Sequence, residues 1–262
     1  MNIKQLITRP YLLPLALALA SPLAQAVAIS DTSASLTLDW SSLDSQVVWS
    51  EGNFKFNGAD ANLDGVTDSN YQPGGTGWTG DPTVSFTAQV TADALGNAHT
   101  DLTSANASAH ARADGVGTNT PPSEDVSASG TSHRGRDFTP LADGTIVFSF
   151  GYQIDHTLSK DAAAESNSVY SLVNLVLKTA AGIELANDQF VLNIAGTGVT
   201  GTLGFTVDLL ASETYYLEGH VYSSAGASAP EQTSQAVPEP GALAMLGLGL
   251  VGMGFARRDK RS

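Results

Sequence analysis

The stretch Gly144-Thr145-Ile146-Val147-Phe148-Ser149-Phe150-Gly151-Tyr152-Gln153-Ile154 decides the fold class. Ile146, Phe148, Phe150, Tyr152 and Ile154 share one parity, and the residues between them are mostly small or polar. A period of two is the repeat of a strand, whose side chains point alternately to opposite faces. The pattern recurs on both sides. Leu36, Leu38 and Trp40 share a parity, as do Val84, Phe86, Ala88 and Val90, then Leu203, Phe205, Val207 and Leu209. Tyr215, Leu217 and Val221 continue it around Gly219. Val169–Leu177 is apolar on both parities and predicts a central strand, although so short an apolar run also suits a helix. Val47–Phe56 (VVWSEGNFKF) reads as a hairpin turning at Glu51-Gly52-Asn53.

Roughly ten short strands separated by Gly, Pro and Asp turns predict an all-β protein, a single antiparallel β-sandwich of jelly-roll-like or Ig-like type. A chain of 262 residues with 42 % hydrophobic content is long and apolar enough to bury a core. It has no Cys, which excludes a disulfide scaffold, a thiolate metal site and a cysteine nucleophile. The net charge of −14 argues against a nucleic-acid partner, because a polyanion would be repelled. One stretch is unusual. Ala105, Ala107, Ala109, Ala111 and Ala113 fall on one face, opposite Asn106, Ser108, His110 and Arg112. Such a methyl face lets a neighbouring layer approach closely but buries little area, so it predicts a weakly held edge.

Both ends read as addresses. Lys4 and Arg9 precede the apolar run Tyr11–Ala20, followed by the small-residue site Ala24-Gln25-Ala26. That order predicts a secretory signal peptide over residues 1–26, too short to remain as a span, cleaved after Ala26. At the other end Val237-Pro238-Glu239-Pro240 leads into Gly241–Ala256 (GALAMLGLGLVGMGFA) and then Arg257-Arg258-Asp259-Lys260-Arg261. A helix over 241–256 would be about 24 Å long at ~1.5 Å per residue, slightly short for a bilayer core. Its basic flank should stay cytoplasmic. The two prolines keep residues 238–240 extended and open to a protease. Between the ends, a body over 27–224 and a small, polar linker over 225–236 keep six basic and 24 acidic residues, a net of −18.

The Pro-Glu-Pro element, the Gly/Leu/Ala-rich helix and Arg257-Arg258 together resemble a PEP-CTERM protein-sorting signal over 237–262. The resemblance implies a Gram-negative bacterium, an exosortase that processes at or near Pro238–Pro240, and association with exopolysaccharide or biofilm matrix. It also implies Sec-dependent export and a membrane anchor, through the C-terminal helix, that lasts until processing. It leaves the activity of the body open.

Within the body, Asp60-Ala61-Asn62-Leu63-Asp64-Gly65-Val66-Thr67-Asp68 is the foremost site candidate. Oxygen donors from Asp60, Asn62, Asp64 and Asp68, the Val66 carbonyl and a Gly at the sixth position match the front half of a calcium loop. Tyr71 stands where the closing bidentate Glu belongs, and the competing reading is an Asx-rich turn without Ca2+. No other cofactor is implied. His99, His110, His133, His156 and His220 lack metal-ligand spacing and read as solvent-facing. Arg134-Gly135-Arg136-Asp137 reads as a polar loop, with an anion contact as the alternative, and Trp78 as a sheet-edge cover or a sugar-stacking ring. No catalytic constellation is legible, so the chain is read as a non-catalytic surface or matrix protein. The alternative is a carbohydrate-binding module or a glycan-active enzyme, marked by a groove lined with rings or by paired carboxyls.

Overall fold

In the computed structural model, residues 27–72, 84–91, 94–101, 103–114 and 123–230 are described. The signal-peptide segment with Ala24 and Ala26, the loop around Trp78, and everything from Glu231 onward lie outside them. Among the described residues there is no α-helix; one 3₁₀ turn, Trp40–Leu43, interrupts an otherwise β chain. The strands are β1 (Ala28–Thr37), β2 (Val47–Leu63), β3 (Val66–Gln72), β4 (Val84–Thr91), β5 (Ala94–Thr100) and β6 (Ser104–Ala113). They continue as β7 (Ser123–Pro140), β8 (Gly144–Lys160), β9 (Ser166–Thr179), β10 (Glu184–Leu192), β11 (Gly196–Leu209) and β12 (Tyr215–Pro230).

Two six-stranded sheets result, ordered β11-β8-β1-β6-β5-β4 and β10-β9-β12-β7-β2-β3. All their pairings are antiparallel. Hairpins join β2 to β3, β4 to β5 to β6, and β9 to β10; every other connection passes from one sheet to the other. The sheets share buried clusters and pack face to face in a sandwich-like arrangement. The strands are longer and more numerous than the turn spacing predicts. Glu51-Gly52-Asn53 is not a hairpin turn but a register shift inside β2, between Trp49 and Asn53 opposite β7. The hairpin lies further on, between β2 and β3. Residues 225–230 are not linker: they extend β12, with Ala225, Ala227 and Ala229 buried.

The parity read from the sequence holds in the packing. Ile146, Phe148, Phe150 and Ile154 are buried from β8, Leu203 and Leu209 from β11, and Tyr215, Leu217 and Val221 from β12. Phe138 sits at the centre of a ring cluster, its centroid 5.5 Å from Trp49 and 5.8 Å from both Phe148 and Tyr215. Offset and edge-on contacts of this kind suit the ring quadrupole. This Leu and aromatic core fills one end of the body.

The other end is almost pure alanine. Ala28, Ala59, Ala61, Ala94, Ala109, Ala111, Ala113, Ala128, Ala225, Ala227 and Ala229 cluster with Val126. The alanine strand β6 is not an edge, as the sequence suggested; it pairs with β1 on one side and β5 on the other. Sheets separated by ordinary side chains lie about 10 Å apart. Here the main chains nearly touch. A Cβ on Gly130 would fall 1.9 Å from the Asn97 carbonyl oxygen, and one on Gly96 2.2 Å from that of Ser129.

Between the two cores runs a belt of buried hydroxyls. Ser30 donates across the sheets to the Gly226 carbonyl at 2.6 Å, and Asn57 Nδ2 donates to Thr100 Oγ1 at 2.6 Å. Ser171 Oγ meets Thr32 Oγ1 at 2.7 Å, Ser223 Oγ at 2.9 Å and His156 Nε2 at 2.9 Å. His156 Nδ1 lies 2.8 Å from the Ile194 carbonyl, which can only accept, so Nδ1 carries the proton. Nε2 therefore accepts from Ser171, and Thr32 and Ser223 donate to Ser171. Within the Thr32, Ser171, Ser223 and His156 group each buried polar side chain has a partner, as burial favours.

Adding a methyl where the main chains nearly touch should be costly. Gly130→Ala and Gly96→Ala are each expected to lower the unfolding free energy by about 2 kcal/mol or more, through forced backbone separation. Gly151→Ala, whose Cβ would meet open space, should be neutral or slightly stabilising. Urea denaturation of the three variants checks both directions.

Candidate functional site

The Asp60–Asp68 segment forms the β2–β3 hairpin. Asp64 and Gly65 both have positive φ, 48° and 83°, the two-residue turn whose twist matches paired strands and for which Asp-Gly is a preferred sequence. Strand pairing then sends the donors apart. Asp60 lies opposite Ser69, Asn62 opposite Thr67, and Asp68 opposite the buried Ala61, on the other parity from Asp60. Asn62 Oδ1 accepts from Gly65 N at 3.3 Å and Asp64 Oδ1 from Asp125 N at 2.8 Å, while Val66 simply begins β3. The five donors are not gathered around one point. Among the described residues no group of three or more His, Asp or Glu is placed to hold a metal ion. In this structure the segment is a hairpin, because two alternating strands outcompete a loop once β2 can pair along its length with β7.

Arg134, Arg136 and Asp137 belong to β7, not to a loop. Arg134 is 1 % exposed, and burial pushes its guanidinium below its ordinary range against the opposing charge of Asp101. The Arg136 guanidinium stands 4.9 Å over the Trp49 ring. Neither is presented as an anion contact. His156 is likewise core, not surface.

What the sequence did not announce is the outer face of the second sheet. The residues of β2, β3, β7, β9 and β12 that alternate with the core form it. Phe56, His133, His220 and Asn174 stand in one cross-strand row. Tyr71, Gly58, Thr131 and Tyr222 form the adjacent one. His133 and His220 stack at 3.7 Å with 20° between planes, and Phe56 meets His133 edge-on at 5.5 Å and Tyr71 near-parallel at 6.4 Å. Tyr170 and Tyr222 continue the rings at 6.0 Å. Tyr71 donates its hydroxyl proton to Asp60, which also accepts from Ser69 at 2.7 Å. That bond, with partial burial, pushes the Tyr71 pKa up to about 12. Glu218 pairs with His133 at 3.0 Å and Lys178 at 3.1 Å, and together they hold its carboxyl low against the cost of its burial. Burial and the neighbouring His133 push the His220 pKa down to about 4, with Glu218 opposing.

The outer face of the first sheet is different. A depression of about 320 Å³ crosses β8, β1, β6 and β5, lined by hydroxyls, carboxamides, His99 and Asp155. Asp155 accepts from Gly198 N and Gln153 Nε2, and these bonds hold it low.

The comparisons bear on the tail. The PEP-CTERM protein-sorting motif matches residues 236–261. This is a PEP-CTERM-containing protein. The motif marks it as an exported protein targeted to an exosortase, with a membrane-anchored stage in transit. No curated protein matches the chain, and the body of this PEP-CTERM protein is assigned to no family. Val237, Pro238, Glu239, Pro240, Arg257 and Arg258 fall inside the match, and they and the segment 241–256 lie outside the described residues.

Two outcomes follow from this geometry. Neither calcium nor EDTA should move the melting temperature, as read by scanning calorimetry. Acid should destabilise the body. His220 titrates near 6.5 unfolded and about 4 folded, so its contribution is complete above pH 6.5 and is lost as pH falls toward 4. His156, also pushed down by burial, adds to the same slope. Urea melts across that window should show the decline, and His220→Gln should flatten part of it.

Proposed function

We propose that the chain is a non-catalytic protein of the cell surface or extracellular matrix of a Gram-negative bacterium. In this reading Sec exports it, the segment 241–256 anchors it briefly, and an exosortase releases it from the anchor. The observation that carries the reading is the sorting motif at 236–261 behind a body and linker of net charge −18. The N-terminal order of Lys4, Arg9, an apolar run and Ala24-Gln25-Ala26 supports the route. A strongly acidic surface suits a protein that stays dispersed in a hydrated polymer.

A second reading keeps the export route and makes the body a carbohydrate-binding module or glycan-active enzyme. One observation favours the binding form: the ring-bearing outer face of the second sheet. Its exposed rings and fixed carboxylates are the materials of a recognition surface.

The export reading is tested in the producing cell. Replacing Pro238, Glu239 and Pro240 together by Ala should leave the protein at full tail length in the membrane fraction, by mass spectrometry. Normal release of that variant, or recovery of an unprocessed chain from the cytosol, would overturn it.

A further inference from the structure

We propose that the outer face of the second sheet binds a neutral polysaccharide, stacking its sugar rings on Tyr71. The inference rests on the carbohydrate-binding reading and supplies its site and ligand class. Three observations carry it. First, Tyr71 lies over Gly58: a Cβ there would fall 2.4 Å from Tyr71 Cδ1, so only the missing side chain lets the ring settle on the sheet. Tyr71 is nevertheless 49 % exposed, and Phe56 extends it at 28° between planes. Tyr170, 37 % exposed, adds a ring farther along the same face.

Second, the platform is set before any ligand arrives. The Tyr71 hydroxyl is held by Asp60, which is itself fixed by Ser69, so the ring loses little freedom on binding. A pyranose ring has one face of C–H groups and a rim of hydroxyls. The first suits an aromatic face and the second suits carboxylate acceptors placed beside it. Asp60 stands at the edge of Tyr71, and Glu218 stands next to the stacked His133–His220 pair.

Third, charge selects among glycans. Asp60 and Glu218 flank the rings, Lys178 is already engaged by Glu218, and Arg134 and Arg136 of β7 face the core. Body and linker together carry a net of −18. An acidic polymer would meet repulsion and a neutral one would not.

The test uses the exported protein, held in a detergent without sugar headgroups, with soluble neutral glucan, galactan, mannan and xylan as probes and polygalacturonate as the acidic comparison. Isothermal titration should show binding to at least one neutral probe and none to polygalacturonate. Tyr71→Ala should weaken binding about tenfold or more, and Tyr71→Phe, which keeps the ring, by no more than about threefold. Near-ultraviolet circular dichroism confirms that both variants keep the fold. Unchanged affinity in Tyr71→Ala, with neutral glycan still bound, overturns the site alone. Preference for polygalacturonate overturns the neutral ligand class, and failure of every probe, neutral and acidic, overturns the carbohydrate-binding reading with it.

Discussion

The distance between two packed sheets is set by the side chains that fill the gap, and in this body those side chains change volume from one end to the other. Alanine and glycine at one end bring Gly130 against the Asn97 carbonyl and Gly96 against the Ser129 carbonyl. Phe138, Trp40, Phe148 and the leucines hold the sheets apart at the other. The wedge dictates the rest. β1 and β12 carry small residues over one half of their inward parity and large ones over the other, as β12 does from Tyr215 and Leu217 to Ala227 and Ala229.

Alanine methyls bury little area, so the narrow end gains less from the hydrophobic effect than the wide end does. It gains instead from direction. The hydroxyl belt of Ser30, Thr32, Ser171 and Ser223, closed by His156, places hydrogen bonds between sheets where a slip of one residue would leave buried donors without acceptors. Such a belt specifies one alignment of the two layers, which methyl contacts alone do not. The body's first strand, β1, and its last, β12, both run through the centre of their sheets and carry much of this belt. The chain therefore enters and leaves the fold at the alanine end, where Ala28 and Ala229 share one cluster.

With both inner faces spent on packing, the two sheets present their outer faces, and these are chemically unlike. The first sheet presents hydroxyls and carboxamides in a shallow depression. The second presents rings, with carboxylates fixed beside them by Ser69, His133 and Lys178. Glycines serve the second face as they serve the core: Gly58 and Gly135 leave room for Tyr71 and Tyr216 to lie over the backbone.

Much was readable in one dimension. The alternation around Ile146–Ile154 and Leu203–Leu209 identified strands and their buried parity, because a period of two is a local property of the backbone. The tail was readable for a similar reason: Pro-Glu-Pro, an apolar run and a basic cluster act in linear order. The Asp60–Asp68 string was ambiguous because a calcium loop and an Asp-Gly hairpin share it, and the hairpin became visible only with the pairing to β7. His156, Arg134 and Arg136 misled because charge suggests surface, whereas strand register turned them inward. The ring platform had no linear signature at all. Phe56, Tyr71, His133 and His220 lie far apart in sequence, and they meet because antiparallel pairing sets them in adjacent rows on one face. Periodicity and processing signals are written along the chain; which strand lies beside which, and hence every surface built across strands, exists only after the two sheets have closed on each other.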